Sequence, residues 1–116
     1  MAVIFTECDP EALLEQFRER IQQEENEGRI NTWQEKSGYF THTASQWSQM
    51  AFFRPRTNSK QGILRFYIRG PKNTDIPEAV YAYYHGHLIQ TFLTHFGESF
   101  EHGAATGVPQ QRELVN

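Results

Sequence analysis

Residues 50–69 constrain the fold of this chain more than any other stretch. Within them, Ile63–Arg69 alternates in polarity: Leu64, Phe66 and Ile68 share one parity, and Arg65, Tyr67 and Arg69 share the other. Because the side chains of a strand point alternately to opposite faces, this pattern predicts a strand with one buried face and one open, cationic face. Residues 50–56 are also strand-like, and the turn-rich segment 57–62 joins the two. We therefore predict a pair of connected strands around which the rest of the chain is organised.

The length of the chain and the order of its predicted elements indicate the fold class. A chain of 116 residues can bury one core but is short for two. We expect a single domain over residues 1–102 and a loosely ordered C-terminal tail over 103–116, where glycine, proline and glutamine accumulate. The expected fold is α+β, an antiparallel meander sheet of three to five strands with two long helices on one face, in the approximate order (β)-α-β-β-β-α.

A first helix is predicted to begin after Asp9. A carboxylate at the N-cap accepts an otherwise unpaired amide proton, and Pro10 at the first helical position has no amide proton to lose. Apolar residues then recur on one side of the helix: Leu13, Leu14, Phe17 and Ile21. This spacing is typical of a surface helix that lies on a core.

A second helix is predicted to start within residues 75–78 and to run to about Phe96. It carries two stripes of mostly apolar residues, the first formed by Val80, Tyr84, Leu88, Thr91 and His95, and the second by Ala82, Gly86, Ile89, Leu93 and Phe96. Only a narrow line is plainly polar, formed by Tyr83, His87, Gln90 and Thr94. A helix that is apolar on two sides needs two partners. One is the sheet, and the other is either the first helix or a second copy of the chain, with Ala82 and Gly86 allowing close approach.

Three further segments favour extended structure. Residues 3–5 are apolar and suit an edge strand, and residues 30–42 are rich in β-branched and aromatic residues. Lys36-Ser37-Gly38 interrupts the second segment, either as a hairpin turn or as a glycine bulge. Pro55 cannot donate a hydrogen bond to a neighbouring strand, so this part of residues 50–56 is expected at a sheet edge or a strand end.

The net charge of −3 conceals a strongly uneven distribution. Residues 1–35 hold nine acids and three bases, residues 36–72 hold seven bases and no acid, and residues 73–116 hold five acids and one base. Strands without a single carboxylate project a local positive field even when the whole chain is acidic. The middle third therefore predicts a surface that attracts anionic groups.

The expected location is the cytoplasm. Cys8 is the single cysteine, so no disulfide can form within the chain and a reducing compartment is expected. The first residues lack a basic leader followed by an apolar run, so we expect no signal peptide. No apolar run approaches the ~20 residues that a helix needs to cross a bilayer, and we expect no membrane association.

The sequence predicts no metal, no cofactor and no catalytic activity. On a helix, His85 and His87 would diverge by about 160°, and His87 and His95 would stand about 12 Å apart, so neither pair can share an ion. No cysteine pair, Gly-x-Ser-x-Gly elbow, phosphate loop or dinucleotide fingerprint is present.

The function favoured by these observations is that of a small soluble protein-interaction module that associates with itself or with another protein. The residues predicted to bind are Phe52, Arg54, Arg56, Arg65, Tyr67 and Arg69. Arginine and aromatic side chains on one face are typical anchors of protein interfaces.

Two alternatives stay open. The same basic, aromatic face would suit nucleic acid or another anion, since it combines phosphate binding with base stacking. An α-β-β-β-α order is similar to that of double-stranded RNA-binding domains, although Gly70-Pro71-Lys72-Asn73 does not supply their lysine-rich motif at the start of the last helix. The other alternative is a small-ligand or catalytic pocket near Tyr39, His42 and His87, which requires these three rings to converge.

Overall fold

The computed structural model describes residues 2–24, 28–72 and 74–107. These residues form six strands and two helices in the order β-α-β-β-β-β-α-β. In chain order the elements are β1 (Ala2–Thr6), α1 (Pro10–Gln22), β2 (Trp33–Lys36), β3 (Tyr39–His42), β4 (Phe52–Asn58), β5 (Ile63–Arg69), α2 (Glu78–Phe96) and β6 (His102–Ala105). No helix in this part of the chain is long and apolar enough to cross a membrane.

The strands form one antiparallel sheet in the order β2-β3-β4-β5-β1-β6. The predicted α+β class with an antiparallel sheet is confirmed, but the sheet has six strands rather than three to five. The meander covers only β2 to β5. β1 then pairs with β5 on one side and with β6 on the other, so residues 3–5 belong to an inner strand and not to the predicted edge strand.

The sixth strand lies partly in the segment that was predicted to be a loose tail. His102–Ala105 pairs with β1, from Thr6 opposite His102 to Val3 opposite Ala105. Its sequence, His-Gly-Ala-Ala, has low intrinsic strand propensity, so its extended form depends on the unpaired edge of β1 that it meets. The rest of the predicted tail, from residue 108 onward, lies outside the described residues.

The Lys36-Ser37-Gly38 interruption is a hairpin turn between β2 and β3. Lys36 and Tyr39 are directly opposed, and the two residues between them have positive φ angles, 54° at Ser37 and 82° at Gly38. A two-residue loop with both φ values positive matches the right-handed twist of the flanking strands. The bulge alternative is therefore excluded.

The core lies between one face of the sheet and both helices. Leu64, Phe66 and Ile68 are buried there, as the alternation in β5 predicts. The two helices meet through Phe17 of α1 and Phe92 of α2, whose ring centroids are 4.9 Å apart. The opposite face of β4 and β5 carries neither α1 nor α2, because both helices pack on the core side.

The helix starts and faces follow the predictions in part. The Asp9 carboxylate accepts a hydrogen bond from the Ala12 amide at 3.2 Å, as expected. α2 ends at Phe96 but begins at Glu78 without a side-chain cap. Its first stripe is largely buried, whereas the second is not, since Ala82 and Gly86 are exposed and the Leu93 side chain is 59% exposed.

Candidate functional site

The six predicted binding residues lie on one face of β4 and β5 as three directly opposed pairs. Phe52 faces Arg69, Arg54 faces Tyr67, and Arg56 faces Arg65. Their neighbours along each strand, such as Phe53 and Phe66, are buried on the core side. We call the six the basic sheet face. Cross-strand partners in an antiparallel pair have Cβ atoms about 4.5–5.5 Å apart, so the six side chains form one continuous surface.

This face contains two shallow cavities. The larger has a volume of about 260 Å³ and is lined by Lys36, Ser37, Tyr39, Phe52, Arg69, Gly70, Pro71 and Lys72. The smaller has a volume of about 170 Å³ and is lined by Arg56, Thr57, Asn58, Ile63, Arg65 and Tyr67. Among the described residues, five basic side chains and no carboxylate line the two cavities. Both therefore favour an anionic occupant.

Arg69 is held in place by Tyr39 of β3. Its guanidinium carbon lies 4.9 Å from the centre of the Tyr39 ring, and its Nη1 donates a hydrogen bond to the Tyr39 hydroxyl at 2.7 Å. A guanidinium stacked on an aromatic ring loses little further freedom when it binds an anion. The contact thus orders one end of the basic sheet face.

Arg65 lies at the other end of the basic sheet face and is only partly exposed. Its Nη1 donates to the Tyr67 hydroxyl at 3.4 Å, and its buried Nε has no hydrogen-bond partner within the described chain. Arg54 and Arg56 are exposed, and neither forms a hydrogen bond or ion pair with the residues that the structure describes. The guanidinium groups of Arg54 and Arg56 are therefore available to a partner, whereas the buried Nε of Arg65 is not.

No acidic residue of the described chain lines either of the two cavities of the basic sheet face. Glu11, Glu15 and Glu19 are exposed at four-residue spacing along α1, which packs on the core face of the sheet. The molecule therefore has a basic sheet side and an acidic helix side. Such polarisation orients a charged partner before contact.

A second cluster joins β3 to α2 through two imidazoles. His42 Nε2 and His87 Nδ1 are 2.7 Å apart and share one hydrogen bond. Burial, and secondarily the neighbouring His87, lowers the pKa of His42 to about 4, and burial also lowers the pKa of His87. Both rings are therefore neutral at neutral pH.

Tyr39 does not belong to this cluster. The predicted small-ligand or catalytic pocket required Tyr39, His42 and His87 to converge, but the Tyr39 hydroxyl binds Arg69 and its ring lines the larger cavity of the sheet face. Tyr39 has the opposite strand parity from His42, whose ring packs against Trp33 in the core. Only two of the three residues meet.

Tyr84 of α2 positions the loop that covers the histidine pair. Its hydroxyl donates a short hydrogen bond to the Trp47 carbonyl and lies 3.1 Å from the Thr41 hydroxyl. The anchored loop places the Trp47 ring flat on the Tyr83 ring, with centroids 4.2 Å apart. The stack in turn flanks His42, since the Tyr83 and His42 ring centroids are 5.2 Å apart.

A third cavity, of about 200 Å³, lies beside His87 between α2 and residues 29–32. The polar line of α2 forms its floor, because His87, Gln90 and Thr94 all line it. Sequence reasoning found this line on the helix. It missed the cavity because the opposing wall comes from residues 29–32, which are distant in sequence.

Two other groups bear on the predicted absence of metal and catalysis. Glu7, Glu101 and His102 each offer a ligand atom, and these atoms lie within 4.8 Å of one another, but all three residues are exposed.

Cys8 is half-buried, its Sγ donates to the Gly62 carbonyl at 3.4 Å, and burial raises the pKa of its thiol. A raised thiol pKa disfavours a nucleophilic role.

No protein-family model, no curated protein and no solved structure matches this chain.

Proposed function

We propose that this chain is a non-catalytic interaction module that binds an acidic protein surface through the basic sheet face. The observation that carries the proposal is the register of β4 and β5, which aligns four arginines and two aromatic residues in three opposed pairs. Arginine and aromatic side chains combine charge with a large contact area at low entropic cost, and they dominate binding energy at protein interfaces.

The arginines of the basic sheet face reduce the stability of the sheet, and this supports a binding role. Arg56 and Arg65 are direct cross-strand neighbours, and like charges in that position destabilise a sheet. A surface that only keeps the protein dissolved has no need for opposed cations, since alternating signs would serve better. An acidic partner would relieve the repulsion on binding.

A protein partner is favoured over nucleic acid by the number of free charges. Of the four arginines in the face, Arg54 and Arg56 are exposed and Arg65 and Arg69 are partly buried, and the chain as a whole carries −3. Nucleic-acid binders more often present a large basic surface on a basic domain. A reducing cytoplasmic location fits the proposal, because Cys8 is a free thiol.

Titration calorimetry tests the basic sheet face. It measures the binding of poly-L-glutamate to the full chain at low and at physiological salt. We expect binding that weakens with salt, and a loss of about tenfold in affinity on Arg54→Glu. A double variant, Gln16→Glu with Gln22→Glu, is the control, since it lowers the net charge by the same two units at exposed positions of α1, on the opposite side of the sheet, and should retain most of the affinity.

Three results would overturn the proposal. Equal losses in the two variants would show attraction to net charge alone, and absence of binding at low salt would remove the anionic partner. If single-stranded RNA of mixed sequence binds and polyglutamate does not, with loss on Tyr67→Ala, the nucleic-acid alternative replaces it.

The exposed side of α2 favours self-association as a second function. Residues 79–97 contain no Asp, Glu, Lys or Arg, although a surface helix usually carries charges on its solvent side. Ala82, Gly86 and Leu93 are exposed, and Ile89 is half-buried. These four recur at intervals of four, three and four residues, which is the spacing of a helix-pairing seam. We propose that two copies pair through this seam.

Sedimentation of the full chain tests self-association. The expected mass is that of a dimer, and Leu93→Glu should shift the equilibrium to the monomer by placing a charge in the seam. Thr94→Glu adds the same charge at the next exposed position and should leave the dimer in place. A monomeric wild-type chain, or equal effects of the two variants, would contradict the pairing.

A further inference from the structure

The cavity beside His87 is independent of the basic sheet face and of the seam on α2. Its walls are the segment 29–32 and the polar side of α2, and the side chains that matter below are Arg29, Asn31, His87, Gln90 and Thr94. Its volume of about 200 Å³ suits a small polar molecule.

Hydrogen bonds hold the outer wall of the cavity at both ends. The Ile30 amide donates to the Arg20 carbonyl at 3.0 Å, and Arg20 Nη1 donates to the Gly28 carbonyl at 3.0 Å. At the other end, the Thr43 amide donates to the Thr32 carbonyl at 2.9 Å. The cavity is thus preformed, so a ligand does not have to order the segment on binding.

The protonation of His87 follows from a chain of hydrogen bonds. The Ala44 amide donates to His42 Nδ1 at 3.1 Å, so that nitrogen carries no proton. In the neutral ring the proton is then on His42 Nε2, which donates to His87 Nδ1 at 2.7 Å. Because His87 Nδ1 accepts, its own proton is on Nε2. His87, which lines the cavity, therefore carries a neutral N–H donor with a fixed tautomer.

The remaining polar side chains of the cavity, which include His95, can donate hydrogen bonds, although all of them except Arg29 can also accept. Arg29 supplies an exposed guanidinium, Asn31 and Gln90 supply amides, and Thr94 supplies a hydroxyl. No carboxylate is among the described residues that line the cavity, although acids outnumber bases in the chain by 14 to 11. One full positive charge with several neutral donors matches a monoanion.

We propose that this cavity binds the carboxylate of a small organic acid, with Arg29 as the charged contact and His87 Nε2–H as a positioned neutral donor. The guanidinium and carboxylate are both planar and form paired hydrogen bonds, which favours a carboxylate over a spherical anion. A doubly charged phosphate would need a second cation to balance its charge.

Long-range proton–nitrogen NMR of the full chain, which resolves individual imidazole nitrogens, tests the proposal with sodium acetate as the probe. In the free protein we expect His42 and His87 each to show a protonated Nε2 and an unprotonated Nδ1. Acetate should shift the His87 Nε2 resonance in a saturable manner while His85 stays unchanged. Sodium chloride at equal ionic strength should produce no saturable shift.

Two variants separate binding from folding. Arg29→Gln changes an exposed side chain and should weaken acetate binding about tenfold, because it removes a charge-assisted hydrogen bond. Lys60→Gln removes one positive charge at an exposed position that lines none of the three cavities, and it should leave acetate binding at His87 intact. His87→Phe should abolish the binding, but it also breaks the pair with His42, so the Arg29 variant decides.

Absence of a saturable shift with acetate, or undiminished binding in Arg29→Gln, would overturn the proposal. Saturable binding of inorganic phosphate without binding of acetate would also overturn it, in favour of a phosphate site.

Discussion

Arg56 of β4 and Arg65 of β5 are directly opposed on the open face of the sheet, and both line a cavity that no carboxylate of the described chain enters. Folding therefore places two like charges together without internal compensation. Directly opposed like charges cost a sheet a few tenths of a kcal/mol up to about 1 kcal/mol. A change that removes the repulsion between Arg56 and Arg65 should therefore raise the stability of the free protein and lower its affinity for an acidic partner.

Replacing Arg56 with Glu should stabilise the isolated protein and weaken its binding. The substitution converts a repulsive pair with Arg65 into an attractive one, so the free energy of unfolding in urea should rise by about 0.2–1 kcal/mol. Affinity for polyglutamate should fall in the same variant. A fall in both quantities would indicate that Arg56 has a structural role instead.

The stability of the protein should decline as the pH falls from about 6.5 towards 4. Burial lowers the pKa of both His42 and His85 to about 4 in the folded state, against an unfolded value near 6.5. Between these values the unfolded chain binds more protons, so acid favours unfolding, and each group contributes on the order of 2 kcal/mol across the window. Above pH 7 the two groups should add no pH dependence.

His85→Phe should reduce this pH dependence without a large loss of stability at pH 7. The His85 and Tyr81 ring centroids are 3.9 Å apart, and the buried His85 Nε2 has no partner among the described residues. His85 Nδ1 lies 2.8 Å from the Tyr81 carbonyl oxygen, but that oxygen also accepts the helical backbone hydrogen bond, so an apolar ring of similar size should cost little stability. Thr94→Val, which changes an exposed residue and removes no titratable group, should leave the pH dependence unchanged. Urea unfolding at pH 7 and pH 5 measures both variants, and an unaltered slope in His85→Phe would contradict the assignment.

Thr91→Val should destabilise the fold by about 1–3 kcal/mol. The buried Trp33 Nε1–H donates to the Thr91 hydroxyl at 3.0 Å, and valine keeps the shape of threonine but removes the acceptor, which leaves the indole donor unsatisfied. Thr94→Val is the matched control, since Thr94 is exposed and the change should stay within about 0.5 kcal/mol. Equal effects of the two substitutions in urea unfolding would argue against the buried hydrogen bond as the cause.

Gly86→Ala should stabilise the protein by about 0.5–1 kcal/mol in urea unfolding at a concentration low enough to keep it monomeric. No described atom lies within 4 Å of an added Cβ at Gly86, so the helix gains propensity without a clash. Gly97→Ala tests the contrast, because its Cβ would lie 2.9 Å from the Leu93 carbonyl oxygen, and this variant should be destabilised. Destabilisation by Gly86→Ala would show that the glycine is needed within the monomer.

Much of the fold and all six residues of the basic sheet face could be predicted from local pattern. The period of two in β5 identified both its buried and its open side, and Asp9-Pro10 identified the start of α1. These features depend on residues close together in the chain. Strand β6, which the sequence did not predict, lacks such a pattern. It is extended because it pairs with β1, and not because of its composition.

The candidate sites also combine features that local sequence pattern predicts with features that depend on tertiary packing. The sequence by itself determined that one face of β4 and β5 would carry arginines and aromatic side chains, because parity along a strand fixes the side of every residue. Only the tertiary structure decided that Arg56 would oppose Arg65, that Tyr39 would turn towards Arg69, and that His87 would meet His42 beside a cavity. Strand register and helix placement result from the packing of the whole core, and no local period encodes them.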